Sequence, residues 1–390
     1  MSRRLIARNL DLLRLQNDGY DLEVRGGHLL IKDVPYVDTA RTIRRGILIS
    51  SLELSGDVTN RPSDHVTYWT GDHPCHSDGR KITTISNPSQ PQNFGDGIQA
   101  DFTFSAKAAY RDYHHKMTAY IARISGEASA IDPDATACTF PVIPSDEDDA
   151  GVFNYIDTAS SRAGIGLVNE RAEGQRIGIV GSGGTGSYIL DLVAKTHVAE
   201  IHIFDHDVFS QHNAFRSPGA PSLEQLRTKP QKAGYFADVY RKMRSGIIVH
   251  DCFLTEENLA LIDGLNFVFL CLDRGEAKRI VVQRLIANGT PFVEVGMGVL
   301  LNGGQLSGIV RVTTSTAETR NKAGRHICYG SDAEANEYAT NIQIAELNAL
   351  NAALAVIQWK KLIGVYCDMR GDFYTGYSIA TGEIVSEGLR

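Results

Sequence analysis

Residues 181–186 read Gly181-Ser182-Gly183-Gly184-Thr185-Gly186, a G-x-G-x-x-G run. A short apolar segment, Arg176–Val180, precedes it and reads as a strand. A helical stretch to about residue 195 follows. Glycines at these spacings permit a tight turn and let the backbone approach a phosphate or a ribose. The helix that follows supplies unpaired N–H groups and a positive end. Alone the run is only a glycine-rich turn. Between a strand and a helix it marks a nucleotide site, with Gly181, Gly183, Gly184 and Gly186 as its backbone contacts.

Asp205 closes a second predicted strand, Glu200–Phe204. An acid there is placed to accept hydrogen bonds from ribose hydroxyls. So far an NAD-dependent oxidoreductase fits as well as an ATP enzyme. The next residues separate the two. Asp207, Asn213 and Arg216 follow closely, then Lys229 and Lys232. A dehydrogenase that holds a diphosphate on backbone amides needs no such cations. An enzyme that releases pyrophosphate from ATP does, because the leaving charge must be neutralised. For Lys229 a surface charge is an equal reading. Asp273 ends a further apolar strand, at the edge where open α/β sheets bind ligands. It is a natural Mg²⁺ ligand and equally a helix N-cap.

Taken together, these residues resemble the ThiF/MoeB-like, ubiquitin-activating (E1-like) adenylyltransferases. The glycine loop, Asp205-x-Asp207-Val208, Asn213, Arg216, Lys232 and Asp273 follow that pattern in order and spacing. Ser161-Arg162 resembles the arginine that this family inserts into the partner subunit's site. The resemblance covers roughly residues 153–364, and the whole chain is similar to bacterial members with an extra N-terminal domain, encoded with ubiquitin-like conjugation genes.

The resemblance implies ATP-dependent adenylation of the C-terminal glycine carboxylate of a ubiquitin-like protein, with release of pyrophosphate. It assigns the ribose to Asp205 and the triphosphate to Asn213, Arg216 and Lys232. Mg²⁺ falls to Asp273, and Arg162 acts across a homodimer. Adenylation of a sulfur-carrier protein for cofactor biosynthesis is the neighbouring possibility. A carboxylate is already a nucleophile at neutral pH, so no general base is required. A conjugating-enzyme-like acceptor is the implied downstream partner. Many relatives carry two Cys-x-x-Cys pairs for zinc; none occurs here, so no structural zinc is expected. Many also carry a thioester-forming cysteine in the crossover segment. The matching region, about 313–340, contains Cys328, beside Arg325 and His326. Cys328 is either that nucleophile or a small buried hydrophobe. Cys252 and Cys271 lie in apolar strands and read as structural.

These residues need a scaffold. Strand-like and helical segments alternate from residue 176 to 295, the pattern of a parallel sheet covered on both faces. One helix is expected over about 222–243, a further antiparallel strand over 304–313, a long helix over about 341–362 and a hairpin around Thr381-Gly382. The fold class is therefore α/β: a Rossmann-like, ThiF/E1-type adenylation domain over 153–390. An acidic linker over 141–152, Pro141 to Asp149 with two prolines, separates it from a smaller α+β partner-binding domain over 1–140. That domain reads as a helix over 5–16, a hairpin over Tyr20–Val34 and strands at 47–54, 65–69 and 101–104. A helix over 110–125 then buries Tyr113, Met117, Tyr120, Ile121 and Ile124 on one face.

His73-Pro74-Cys75-His76 resembles, over a short match, the His-Pro-Asn element of ubiquitin-conjugating domains. No cysteine lies about ten residues on; Thr83, Thr84 and Ser86 do. Metal ligation by His73, Cys75 and His76 with His114 or His115 has irregular spacing, and a polar loop in a protein-binding domain is the favoured reading.

The chain has 390 residues, ample for two cores. Its formal charge of −7 argues against a nucleic-acid binder. No apolar run reaches the roughly 18 residues of a membrane span. The start, Met1-Ser2-Arg3-Arg4-Leu5, lacks a signal-peptide core. Six scattered cysteines make no disulfide framework, so a cytoplasmic protein is expected.

Overall fold

The computed structural model describes residues 2–88, 90–145, 151–272, 275–329 and 342–390, with side chains from Leu5 onward. It divides into two compact units, Met1–Ile143 and Pro144–Arg390.

In the first unit, α1 (Ser2–Arg8) and α2 (Leu10–Asp18) replace the single helix expected over 5–16. The break falls at Asn9, in an extended conformation. Its side chain donates to Leu5 and Asp57 carbonyls and accepts from the Thr59 N–H, so it serves the loop rather than a continuous helix. Strands β1 (Asp21–Arg25), β2 (His28–Val37), β3 (Ile43–Ser51), β4 (Val66–Thr70), β5 (Ser86–Asn87) and β6 (Phe102–Ser105) form one antiparallel sheet, in the order β1-β2-β3-β4-β6-β5. Helix α3 (Tyr113–Ile131) is capped by Asp112, which accepts from the His115 N–H at 2.7 Å. Its stripe Tyr113, Met117, Tyr120, Ile121 and Ile124 is buried with Trp69 and Phe104.

The second unit holds α4 (Thr158–Ala163), β7 (Arg176–Val180), α5 (Gly184–Ala194), β8 (Glu200–Phe204), α6 (Gln211–Ala214), α7 (Leu223–Thr228), α8 (Lys232–Tyr240), β9 (Ile247–His250) and β10 (Phe267–Leu270). It continues with α9 (Gly275–Asn288), β11 (Phe292–Asn302), β12 (Gln305–Ser315), α10 (Ala345–Leu362), β13 (Asp372–Ser378) and β14 (Ile384–Gly388). The strand order is β9-β8-β7-β10-β11-β12-β13-β14. The first five strands are parallel and the rest antiparallel.

Both faces of the parallel part are buried, which explains its unbroken apolar runs. Phe267 and Phe269 of β10 face one cluster with α5 and Trp359 of α10. Val268 and Leu270 face a second with Val281, Val282 and Leu285 of α9. The helix expected over 222–243 is two helices. Lys229 adopts φ +47, and Pro230 follows it. Proline disfavours α-helical backbone at the residue before it.

Among the described residues, no group of three His, Cys, Asp or Glu side chains is placed to hold a metal ion. The suggested ligands are engaged separately: His76 with Glu127, His114 with Asp18, and the buried Cys75 thiol with the His73 carbonyl. No helix among the described residues is long and apolar enough to cross a membrane.

Candidate functional site

The order of β7 relative to β8 and β10 reverses the direction of winding, and the glycine loop leaves β7 at that switch point. Gly181 has φ +89, and a Cβ there would meet the Cys271 carbonyl oxygen at 2.7 Å. A Cβ on Gly186 would lie 1.9 Å from the Gly181 carbonyl oxygen, and one on Gly184 2.2 Å from Asn348 Nδ2. Gly181 and Gly186 are required by backbone packing, and at Gly184 the Asn348 side chain would have to move. Nothing lies within 4 Å of a Cβ on Gly183, the N-cap of α5, so that side of the loop is open. The unpaired amides of α5 start there.

Asp205 is buried and braces the loop. One carboxylate oxygen accepts from the Ser182 N–H at 2.7 Å and the Ser182 hydroxyl at 2.9 Å; the other accepts from the Asp207 N–H at 2.8 Å. Lys232, also buried, donates to Asp207 Oδ2 at 2.7 Å. The Lys232 N–H bonds the Asp207 carbonyl and the Phe209 N–H the Pro230 carbonyl, so the two segments are pinned side by side. Asn213, 3% exposed, accepts from the Ser210 N–H through its side-chain oxygen, while its Nδ2 has no hydrogen-bond partner among the described residues. The same is true of Arg216 Nε. Both donors are available to an acceptor supplied by a ligand or by water. The cationic field is felt nearby: the His212 imidazole is held below its ordinary value, first by burial and then by Arg216 and Lys232.

A cavity of about 290 Å³ gathers Gly181, Gly183, Gly184, Gly186, Asp205, Asp207, Arg216 and Lys232. Asn213 is not among the residues that line it. Lys229 is exposed and does not line it. Arg162 is exposed on α4, whose first turn is capped by Asp157, and does not line the cavity of its own chain. Cys328 is exposed and also outside it. His326, expected to act on that thiol, stacks instead on Tyr374 and pairs with Glu387 at 3.3 Å. Asp273 lies outside the described residues.

Several lining residues escaped the sequence reading. Cys252 and Cys271, read as structural, both face the cavity, with Phe253, Leu254 and Thr255 beyond β9. Asn348 and Asn351 reach it from α10. Asn348 accepts from the Thr185 hydroxyl at 2.9 Å and donates to the Arg216 carbonyl at 3.3 Å, joining the glycine loop to the arginine. Two buried asparagines in an Ala/Leu-rich helix were the available signal, because buried amides need partners.

A doubly wound sheet with this loop and this cationic cavity defines a nucleotide-binding α/β domain. Residues 161–381 match the ThiF family, and the chain belongs to that family. Residues 10–158 match a domain of unknown function, DUF6791. The expected fold, a Rossmann-like ThiF/E1-type domain with a mainly parallel sheet after a smaller N-terminal unit, is the one found. No curated protein matches this sequence. Among solved structures the chain is similar to E. coli MccB with MccA-N7isoASN, at 17% identity and a TM-score of 0.46 over 60% of this chain and 69% of that one. It is also similar to E. coli MccB with ATP, at 16% identity and a TM-score of 0.45 over 57% and 66%. A third match is PaaA, at 16% identity and a TM-score of 0.44 over 57% and 76%.

Proposed function

We propose that this protein adenylates the C-terminal glycine carboxylate of a ubiquitin-like protein at the expense of ATP. The observation that carries the reading is the pairing of an open glycine loop with two cations in one cavity, the buried Lys232 and the half-buried Arg216, whose Nε has no partner among the described residues. A diphosphate held on backbone amides would not need those cations, which weighs against a nicotinamide cofactor.

In the step itself, the substrate carboxylate attacks the α-phosphorus. A new O–P bond forms, the α–β bridging bond breaks, and pyrophosphate leaves. The loop and the start of α5 receive phosphate oxygens, and Asp205 keeps the loop in position while accepting from the ribose. Arg216 and Lys232 would neutralise charge that grows on the triphosphate, and the Asn213 amide would donate a hydrogen bond to it. Arg162, exposed outside its own chain's cavity, would complete the site of a second copy in a homodimer. Mg²⁺ takes carboxylates and phosphate oxygens. Asp205 and Asp207 are engaged by the loop and by Lys232; the sequence resemblance would give the ion to Asp273, which lies outside the described residues. When bound, the ion would neutralise phosphate charge. The acyl group would then pass to a conjugating-enzyme-like acceptor, either through Cys328, which is exposed, or directly.

Thermal unfolding with ATP·Mg²⁺, ATP plus chelator and NAD⁺ tests this reading. A ligand at about 100 times its Kd stabilises the native state by about 2.7 kcal/mol. We expect ATP·Mg²⁺ to raise the melting temperature and Arg216→Ala to remove that rise. Adenylate formation with a ubiquitin-like substrate should fall by roughly 10²–10³ in the same variant. Stabilisation by NAD⁺ in place of ATP would overturn the reading.

A further inference from the structure

The first unit brings together a hydroxyl and an imidazole that the nucleotide site does not use. His73 follows β4, and Ser86 opens β5. His73 Nε2 lies 2.7 Å from Ser86 Oγ, and His73 Nδ1 lies 2.9 Å from the Pro74 carbonyl oxygen. A carbonyl oxygen can only accept, so Nδ1 carries the ring proton. In the neutral ring Nε2 is then bare, and the Ser86 hydroxyl must be the donor. Burial pushes the His73 pKa below its ordinary value, against the raising effect of the Pro74 carbonyl, which keeps the ring neutral near pH 7. The hydroxyl has one other acceptor in reach, the Ile82 carbonyl, at the longer distance of 3.1 Å.

The ring is held from several sides. The rings of Phe102 and Phe104 meet it edge-on, with centroids 5.1 and 5.6 Å away. The chain on either side is fixed by the Trp69 indole donating to the Asp72 carbonyl and by the Asp72 N–H donating to the Tyr36 hydroxyl. The Cys75 thiol donates to the His73 carbonyl. Ser86 itself is exposed. A nucleophile in reach of a base, the base oriented by a third group and the nucleophile open to solvent, is the arrangement of covalent catalysis.

We infer that Ser86 is an oxygen nucleophile, activated by His73, that accepts an acyl group from an activated acyl donor such as an ester, a thioester or an acyl adenylate. Ser86 Oγ attacks the acyl carbonyl carbon, and its proton moves to His73 Nε2. The bond from the carbonyl carbon to the leaving group breaks, and His73 returns the proton to that group. An acyl ester of Ser86 and the released alcohol, thiol or AMP are the products. Water or another hydroxyl, deprotonated by the same nitrogen, completes the cycle.

The test uses the full-length chain, without ATP, and two probes: an alkyl fluorophosphonate and 4-nitrophenyl acetate. The expected result is a single phosphonyl group that peptide mapping places on Ser86, and a nitrophenolate burst matching the protein concentration. Ser86→Ala, at an exposed position, should keep the unfolding midpoint and lose both signals. His73→Gln should slow labelling by roughly 10²–10⁴. Labelling at another residue, an unchanged rate in His73→Gln, or a wild-type rate no faster than that of a blocked free serine would each overturn the inference. The last comparison decides the matter even where His73→Gln does not fold. Because neither probe involves ATP, this inference and the adenylation reading stand or fall separately.

Discussion

The two sheets treat their charged groups in opposite ways. In the antiparallel sheet unit, ionisable side chains find each other at or near the surface. His76 meets Glu127, His114 meets Asp18, and the buried Lys116 reaches Asp64, which is 45% exposed. In the ThiF unit, charge is carried inside. Lys278 and Glu294, with side chains 5% and 0% exposed, pair at 2.8 Å between α9 and β11, and Arg311 stands 3.5 Å from the same oxygen. At the cavity, Arg216 Nε has no hydrogen-bond partner among the described residues. Where one partner stays at the surface, as Asp64 does, water helps to solvate the charge. A parallel sheet buried on both faces forces every charge to be matched by protein or by ligand.

The sharpest way to break this comparison is to remove one lysine from each unit. Lys278→Met leaves the carboxylate of Glu294 buried with Arg311 alone, a loss of about 3–5 kcal/mol. Lys116→Met leaves Asp64 in water, a loss of about 0–1 kcal/mol. The chain has two tryptophans, one per unit: Trp69 and Trp359. Urea unfolding followed by Trp359 fluorescence in a Trp69→Phe background reads the first variant. Trp69 fluorescence in a Trp359→Phe background reads the second. Equal losses would show that burial of both partners is not what separates the two pairs. Adding Glu294→Leu to Lys278→Met should recover most of the loss, because no unmatched charge then remains.

A smaller effect is expected at Asn348, where the ThiF unit uses a buried amide to join its loop to its arginine. Asn348→Ala leaves the Thr185 hydroxyl and the Arg216 carbonyl without that partner, at a cost of about 1–3 kcal/mol. ATP binding should weaken by about tenfold, equivalent to about 1.4 kcal/mol. Calorimetric titration measures it. Unchanged affinity would mean that the loop holds its shape through Gly186 and Asp205 without the helix.

Much of the ThiF unit was legible because the strands of its parallel part are largely apolar and the glycine run falls between a strand and a helix. What escaped was set by tertiary contact. Cys252 to Thr255 reach the cavity because β9 lies beside β8, a neighbour relation that no local pattern encodes. β11 was expected to stop at Val295 but runs to Asn302, paired with β12 along its length. Gly296 and Gly298 had disguised that half as a loop. A Cβ on Gly296 would meet the Arg311 guanidinium at 2.5 Å, so that side chain would have to move. Other signals were present and not used. Pro230 announces the end of α7. Glu294 in Phe292-Val293-Glu294-Val295 is a charge in an apolar strand, which implies a buried partner. In the first unit the α3 stripe was readable from period alone. The His73–Ser86 contact was not, since 13 residues and a turn separate its members.

The smallest expected effect concerns the wet pairs of the first unit and is read through pH. Glu127 accepts from His76 Nδ1 at 2.7 Å and from the Ser77 N–H at 2.9 Å. The His76 contact first, and the Ser77 amide second, hold its carboxyl below the ordinary 4.5. Both donors favour the ionised form, so the folded unit binds a proton here less readily than the unfolded chain does. Its contribution to stability is therefore fully present above the unfolded value and is lost as pH falls through the folded one. Asp38 and Asp78 in the same unit are also depressed, by backbone N–H groups of Thr42 and Arg80 foremost, so the wild-type slope sums several groups. The difference between wild type and Glu127→Gln isolates one of them. Followed by Trp69 fluorescence in the Trp359→Phe background, the urea midpoint of Glu127→Gln should lie below that of wild type at neutral pH. The two should converge as pH falls through the depressed value at which the folded Glu127 carboxyl takes up its proton. A constant gap across that range would mean that shape, not charge, is what the His76–Glu127 contact contributes. The wet unit would then match its polar groups as the buried unit does.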